Sequence, residues 1–174
     1  MISIRPEQPG DAEAVHRVLA AAFGREDEAH IVDALRASGH MTVPLVAVRG
    51  DEQGDIVGHI AFSPVQIESQ SGTWHAIALG PLAVAPAFQG RGIGSHLVQA
   101  GLQACRAAGH AIVVVLGHAK YYPRFGFVPA SQYGVRYKRP VPDDVFMLQE
   151  LRPGAVAGRA GVVHYGPEFG STPS

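Results

Sequence analysis

The chain has 174 residues, 47% of them hydrophobic and 17% charged, with a formal net charge of −1. Such a composition fills the core of one α/β domain and excludes a disordered chain. It also supplies no global field for nucleic acid or an anionic membrane.

Residues 1–5 alternate as a short strand. Asp11 is placed to cap a helix reaching Phe23, with Val15, Val18, Leu19 and Ala22 on one face. Residues 26–38 predict a second helix, with Ile31, Val32 and Leu35 inward and Gly39 at its end. Residues 43–48 and 56–67 read as strands of a hairpin around Gly50, Asp51 and Gly54, and residues 74–84 as a third long strand. The clearest helix spans 91–108, where Ile93, Leu97, Ala100, Ala104 and Ala108 recur at helical steps and Gly109 follows. Inside it Gly101 costs about 1 kcal/mol relative to alanine, which points to a neighbour packed close against it. Cys105, the only cysteine, falls in the same pattern as a small buried thiol; alone it forms no internal disulfide and no thiolate cluster. The β-branched run 111–116 is too short for a helix or a membrane span and suits a buried, partly parallel strand after a right-handed crossover. Arg136, Lys138 and Arg139 read as a solvated loop, 140–144 as a second loop, 145–151 and 162–165 as strands, and 171–174 as a frayed tail. The N-terminal run MISIRPEQPGD has no apolar signal region, so a cytoplasmic location is expected.

Between the third long strand and the clearest helix stands APAFQGRGIGSHLVQA, with Gly90, Gly92 and Gly94 two residues apart. A helix start presents unpaired N–H groups and the positive end of the helix dipole, and glycines let an anion approach them. A phosphate or pyrophosphate is the natural guest. Ser95 stands where a dinucleotide fingerprint needs its third glycine, and no lysine is near for a P-loop. The pattern that fits is Gln-x-x-Gly-x-Gly, at Gln89, Gly92 and Gly94. It resembles the acyl-CoA pyrophosphate loop of the GNAT superfamily of N-acetyltransferases. LGPLAVAPAFQGRGIG resembles the family's fourth strand entering that loop, and VVVLGHAKYYPRFGFVPA its fifth strand, short helix and Phe-Gly-Phe exit. VGHIAFSPV and YYPRFGF are similar to predicted bacterial acetyltransferases of undefined substrate.

The resemblance implies a single α/β domain over residues 1–170, with its core in 2–151. Its sheet would be mixed and mostly antiparallel, flanked by helices and splayed at strands four and five. Gly80-Pro81 agrees with a splay, because proline cannot donate to a ladder and marks a bulge. The family inserts the pantetheine of acetyl-CoA, its cosubstrate, in that slot. Leu82, Ala83 and Val84 would offer it main-chain groups, and an N–H near Leu82 would stabilise the oxyanion of acyl transfer. The pyrophosphate would rest on the amides of Arg91, Gly92, Ile93, Gly94 and Ser95 after the turn at Gly90, with Gln89 orienting the loop, Ser95 adding a hydroxyl, and the Arg91 side chain either adding charge or standing as a solvated surface arginine.

Tyr122, four residues before Gly126, matches the tyrosine that protonates the departing CoA thiolate, and a phenol suits that task at neutral pH. In the plug of Tyr121, Tyr122, Phe125 and Phe127, Tyr121 and Phe127 are expected in the core and Tyr122 with its hydroxyl free. Two features depart from the family: Gly117-His118 replace a frequent asparagine, and Pro123 follows Tyr122 directly. Candidate bases for the acceptor amine are Glu28, His59 or a water chain, against structural readings of Glu28 as a solvated helix charge and His59 as a core histidine. The nine histidines show no helical pair spacing, so no metal is expected. The acceptor would be a small-molecule or peptide amine, and a homodimer is expected by analogy. The rival reading is a non-catalytic acyl-CoA-binding or sensing module, against which Tyr122 argues.

Overall fold

Alternating apolar positions make the first half of the chain a meander with two helices inserted. β1 (Ile2–Pro6) leads into α1 (Ala12–Phe23) and α2 (Asp27–Ser38), followed by β2 (Leu45–Arg49), β3 (Asp55–Ser69) and β4 (Gly72–Val84). This computed structural model describes residues 1–170; the segment 171–174, expected to fray, lies outside the described residues. Gly24 and Gly39 end the two helices at φ 68° and 77°, the left-handed conformation that glycine adopts without strain. Asp11 does not cap α1 as expected. Its carboxylate instead accepts hydrogen bonds from Arg5 Nη1 and from the Gln8 N–H, both at 2.7 Å, and so closes the turn ahead of the helix.

α3 (Ile93–Ala107) crosses from β4 to β5 (Ile112–Leu116), which runs parallel to β4. β6 (Val128–Pro129), β7 (Val135–Tyr137), β8 (Phe146–Glu150) and β9 (Gly161–Tyr165) complete a nine-stranded sheet in the order β1-β2-β3-β4-β5-β8-β6, with β9 on β3 and β7 on β9. The pairings are antiparallel except β4–β5 and β7–β9. The basic stretch read above as a loop is partly this β7: Val135 and Tyr137 are buried, and Arg136 between them is exposed. Alternation is present there but only three residues long.

Each face of the sheet carries helices. Leu45, Ala47, Ile60 and Phe62 pack with Ile93, Leu97, Val98 and Leu102 of α3. Val46, Val48, Ala61 and Ala83 pack on the other face with Val15 and Leu19 of α1 and Ala29 and Val32 of α2. The two-residue period of β2 and β3 does this sorting. Cys105 is fully buried in α3, and burial pushes its thiol up to about 12, so it is inert. Among the described residues no helix is long and apolar enough to cross a membrane.

The neighbour expected at Gly101 is Phe62. A Cβ on Gly101 would lie 2.6 Å from Cε2 and 2.8 Å from Cζ of that fully buried ring. Overpacking here exceeds the helix-propensity gain, so Gly101→Ala is expected to lower stability by about 1–2 kcal/mol. The check is a denaturant titration, with a lower midpoint at unchanged slope; a stabilised variant would show that the ring moves aside.

Candidate active site

β4 and β5 pair only from Ile77–Val113 to Leu79–Val115. Along the β3–β4 ladder Phe62 faces Leu79 and Ile60 faces Leu82, so Gly80 and Pro81 together oppose Ala61 alone. That is the bulge expected from the proline, and the ladder with β5 ends there. β5 itself continues along β8 as far as Leu116 opposite Phe146. Between the parted strands opens a cleft of about 820 Å³, the size of a small-molecule site.

At one end of the cleft lies the glycine loop. Gly90 and Gly92 hold φ of 77° and 82°, and no atom lies within 4 Å of a Cβ built on either, so the loop leaves open ground. Gln89 Nε2 donates to the Val84 carbonyl at 2.9 Å and ties the loop to the end of β4. The first α3 hydrogen bond runs from the His96 N–H to the Gly92 carbonyl at 3.1 Å, and no side chain caps the helix. The amides of Ile93, Gly94 and Ser95 therefore lack helical acceptors at the positive end of the dipole, and all three residues line the cleft. Leu82 and Val84 line it as well, whereas Ala83 buries its methyl in the α1–α2 layer and has only its main chain to contribute.

Two arginines stand near the loop. The Arg91 guanidinium lies 5.2 Å from the Phe88 ring centroid, and Arg91 is not part of the cleft lining. Arg124, which falls within YYPRFGF but carries no expected role, does line it, stacked 4.8 Å over the Tyr121 ring. Only its place two residues after Tyr122 could have signalled it.

The aromatic plug is ordered differently from the expectation. Tyr122 is the more buried tyrosine, 7% exposed, with the rings of Tyr121 and Phe127 edge-on at 5.1 and 5.8 Å. Tyr121 is only half-buried, and its hydroxyl reaches Ser95 Oγ at 3.2 Å. Gly94 permits this approach, since a Cβ there would stand 3.1 Å from that hydroxyl. Phe127 is core, as expected. Tyr122 still lines the cleft, and Gly117 sets its position: a Cβ on Gly117 would lie 2.5 Å from Tyr122 Cε2. The residue that replaces the family's asparagine is thus small enough for the ring to lie against the exit of β5. Burial, and the neighbouring Tyr121, push the Tyr122 phenol well above its ordinary value, so it is protonated throughout the working range.

Glu28 and His59 part company. Glu28, in the first turn of α2, is 3% exposed and lines the cleft, so it is not a solvated helix charge. Arg25 holds it in two hydrogen bonds, one from Nε to Oε1 at 2.9 Å, and these keep its carboxyl below the usual range despite the opposing effect of burial. His59 is fully buried and does not line the cleft. Its Nε2 lies 3.1 Å from Glu7 Oε1, and Glu7 accepts from Arg36 Nη2 at 2.8 Å. His59 therefore ties β3 to α2 and is not placed to serve as a base. Three further lining residues carry no sequence signal: Phe23, Tyr165 and Phe169. The fold also gathers His16, Glu26 and His30 across α1 and α2, with ligand atoms within 4.8 Å of one another, but both His16 nitrogens already face carboxylates, Asp33 at 2.7 Å and Glu26.

A sheet parted between two parallel strands, with a glycine-opened helix start at the mouth of the gap, is the arrangement expected from the resemblance described above. Residues 3–130 match the acetyltransferase (GNAT) domain model. The chain is 36% identical over 166 residues to the "Uncharacterized N-acetyltransferase YhbS" of Escherichia coli K12, covering 95% of this chain and 97% of that protein. It superposes on the crystal structure of Escherichia coli YhbS in complex with CoA with a TM-score of 0.88, at 35% identity over 97% of this chain and 91% of the other. A GNAT family acetyltransferase from Brucella melitensis in complex with acetyl-CoA gives a TM-score of 0.79, at 37% identity over 97% and 98%. The chain belongs to the GNAT acetyltransferase family.

Proposed function

We propose that this protein transfers the acetyl group of acetyl-CoA to a primary amine by direct attack within a ternary complex. The observation that carries the reading is the gap between β4 and β5, floored by the unpaired amides at the start of α3 and walled by the buried phenol of Tyr122. The similar YhbS and Brucella proteins bind CoA and acetyl-CoA in their crystals.

Each step falls to a group of this chain. The amides of Gly92, Ile93, Gly94 and Ser95 hold the diphosphate, with Arg124 at its side. The β4 main chain at Leu82, Ala83 and Val84 lies along pantetheine, and an N–H near Leu82 polarises the thioester carbonyl, a contribution of about 3–4 kcal/mol in other acyl transfers. Glu28 accepts a hydrogen bond from the incoming amine. Its lowered pKa makes it a weak base, so the amine proton leaves through water. The nitrogen–carbon bond forms as the carbon–sulfur bond breaks, Tyr122 protonates the thiolate, and solvent returns the proton to Tyr122. A binding module has no use for a buried proton donor and a buried carboxylate in one cleft, which favours catalysis over sensing.

The test has two readouts on the purified protein. Acetyl-CoA at a hundred times its Kd is expected to stabilise the fold by about 2.7 kcal/mol, whereas a nicotinamide dinucleotide leaves it unchanged. Thiol release is expected to depend on added primary amine. Stabilisation without amine-dependent thiol release across a mixed panel would establish the sensing module, and no stabilisation would overturn the assignment.

A further inference from the structure

The end of the cleft away from the glycine loop has a chemistry of its own. Tyr165 closes β9 opposite Val65 of β3, and the following turn places Phe169 on Ile31 and Leu35 of α2. The two rings meet edge-on at 5.0 Å between centroids. Both lie beyond residue 130, where the match to the family's domain model stops. Phe23, at the end of α1, also lines the cleft and is 39% exposed; with Met1 it is one of two large hydrophobic side chains so exposed among the described residues. Internal packing does not account for a phenyl ring left at the mouth of a cleft.

Among the described residues Glu28 is the only carboxylate that lines the cleft. Its partner Arg25 is taken up by it and does not itself line the cleft. The arginine that does, Arg124, is stacked on Tyr121 beside the glycine loop. Among the described residues this end thus offers three aromatic rings, one hydrogen-bond-accepting carboxylate and no free arginine or lysine.

We propose that the acceptor is a monoamine carried on an aromatic or other apolar body, held by Phe23, Tyr165 and Phe169 with its nitrogen at Glu28; this rests on the acetyltransferase reading above. Aromatic walls reward an apolar body and tolerate one ammonium before it loses its proton. A second ammonium would have to be stripped of water without a partner. A carboxylate next to the amine would meet Glu28 on its cleft side, where the paired Arg25 does not reach the lining. In the transfer the amine nitrogen bonds to the acetyl carbon as the carbon–sulfur bond breaks. The amine proton passes to water, and CoA leaves as its thiol.

The experiment measures kcat/KM by thiol release at saturating acetyl-CoA for 2-phenylethylamine, hexylamine, phenylalanine, spermidine and a lysine-containing peptide. The two apolar monoamines are expected to exceed the other three by about tenfold or more. Phe23→Ala, at an exposed position that threatens no core, is expected to raise the KM for 2-phenylethylamine by about fivefold to tenfold while thermal stabilisation by acetyl-CoA stays the same. A preference for phenylalanine, spermidine or the peptide, or an unchanged KM in Phe23→Ala, would overturn the proposal. Absence of thiol release with all five amines would instead overturn acetyl transfer itself, and the proposal with it.

Discussion

Tyr122→Phe is expected to lower kcat by about a hundredfold while the affinity for acetyl-CoA and the unfolding temperature hold. The phenyl ring keeps its packing on Gly117, Tyr121 and Phe127, so only the proton donor is removed. The adjacent tyrosine is the control. The Tyr121 hydroxyl reaches Ser95 at 3.2 Å, beside the glycine loop, so Tyr121→Phe is expected to weaken acetyl-CoA binding modestly and to spare kcat. Steady-state kinetics and calorimetry on both variants separate the roles. A loss of kcat in Tyr121→Phe with none in Tyr122→Phe would transfer the donor's part to Tyr121.

Gly92→Asp is expected to raise the Kd for acetyl-CoA by about a hundredfold, or roughly 2.7 kcal/mol. Part of this is backbone strain, since φ at Gly92 is 82° and a side chain there costs about 1 kcal/mol or more. The rest is charge, because the new carboxylate would stand among amides that hold a diphosphate. Gly92→Ala carries the strain alone and is expected to show the smaller loss. Calorimetric titration of both variants is the check, and an unchanged Kd in Gly92→Asp would remove the start of α3 from the binding site.

How much of this could be read in the sequence follows from how local each signal is. The glycine loop was legible because Gln89, Gly92 and Gly94 act on adjacent backbone: Gln89 bonds to Val84 five residues away, and Gly92 starts its own helix. The bulge was legible because Pro81 lacks an N–H wherever it stands. The order of Tyr121 and Tyr122 was not. Both sit at one short turn, and which ring goes inward is decided by room at Gly117 and by Gly94 on another element. The burial of Glu28 was hidden because an acidic residue in a first helical turn is usually solvated, and only Arg25 allows it inside. Tyr165 and Phe169 were hidden most deeply, since β9 reaches the cleft by pairing with β3 about a hundred residues earlier, a contact that no local pattern announces. β7 escaped because three residues are too few to establish a period.

The central claim is that β4 and β5 part to admit a thioester. A crystal structure of this protein grown with acetyl-CoA tests it most directly. The expected result places pantetheine between Leu82–Val84 and the end of β5, the diphosphate within hydrogen-bond distance of the Ile93, Gly94 and Ser95 amides, and the sulfur beside the Tyr122 hydroxyl. Strands paired continuously past Leu79, or acetyl-CoA bound on another face of the sheet, would contradict it.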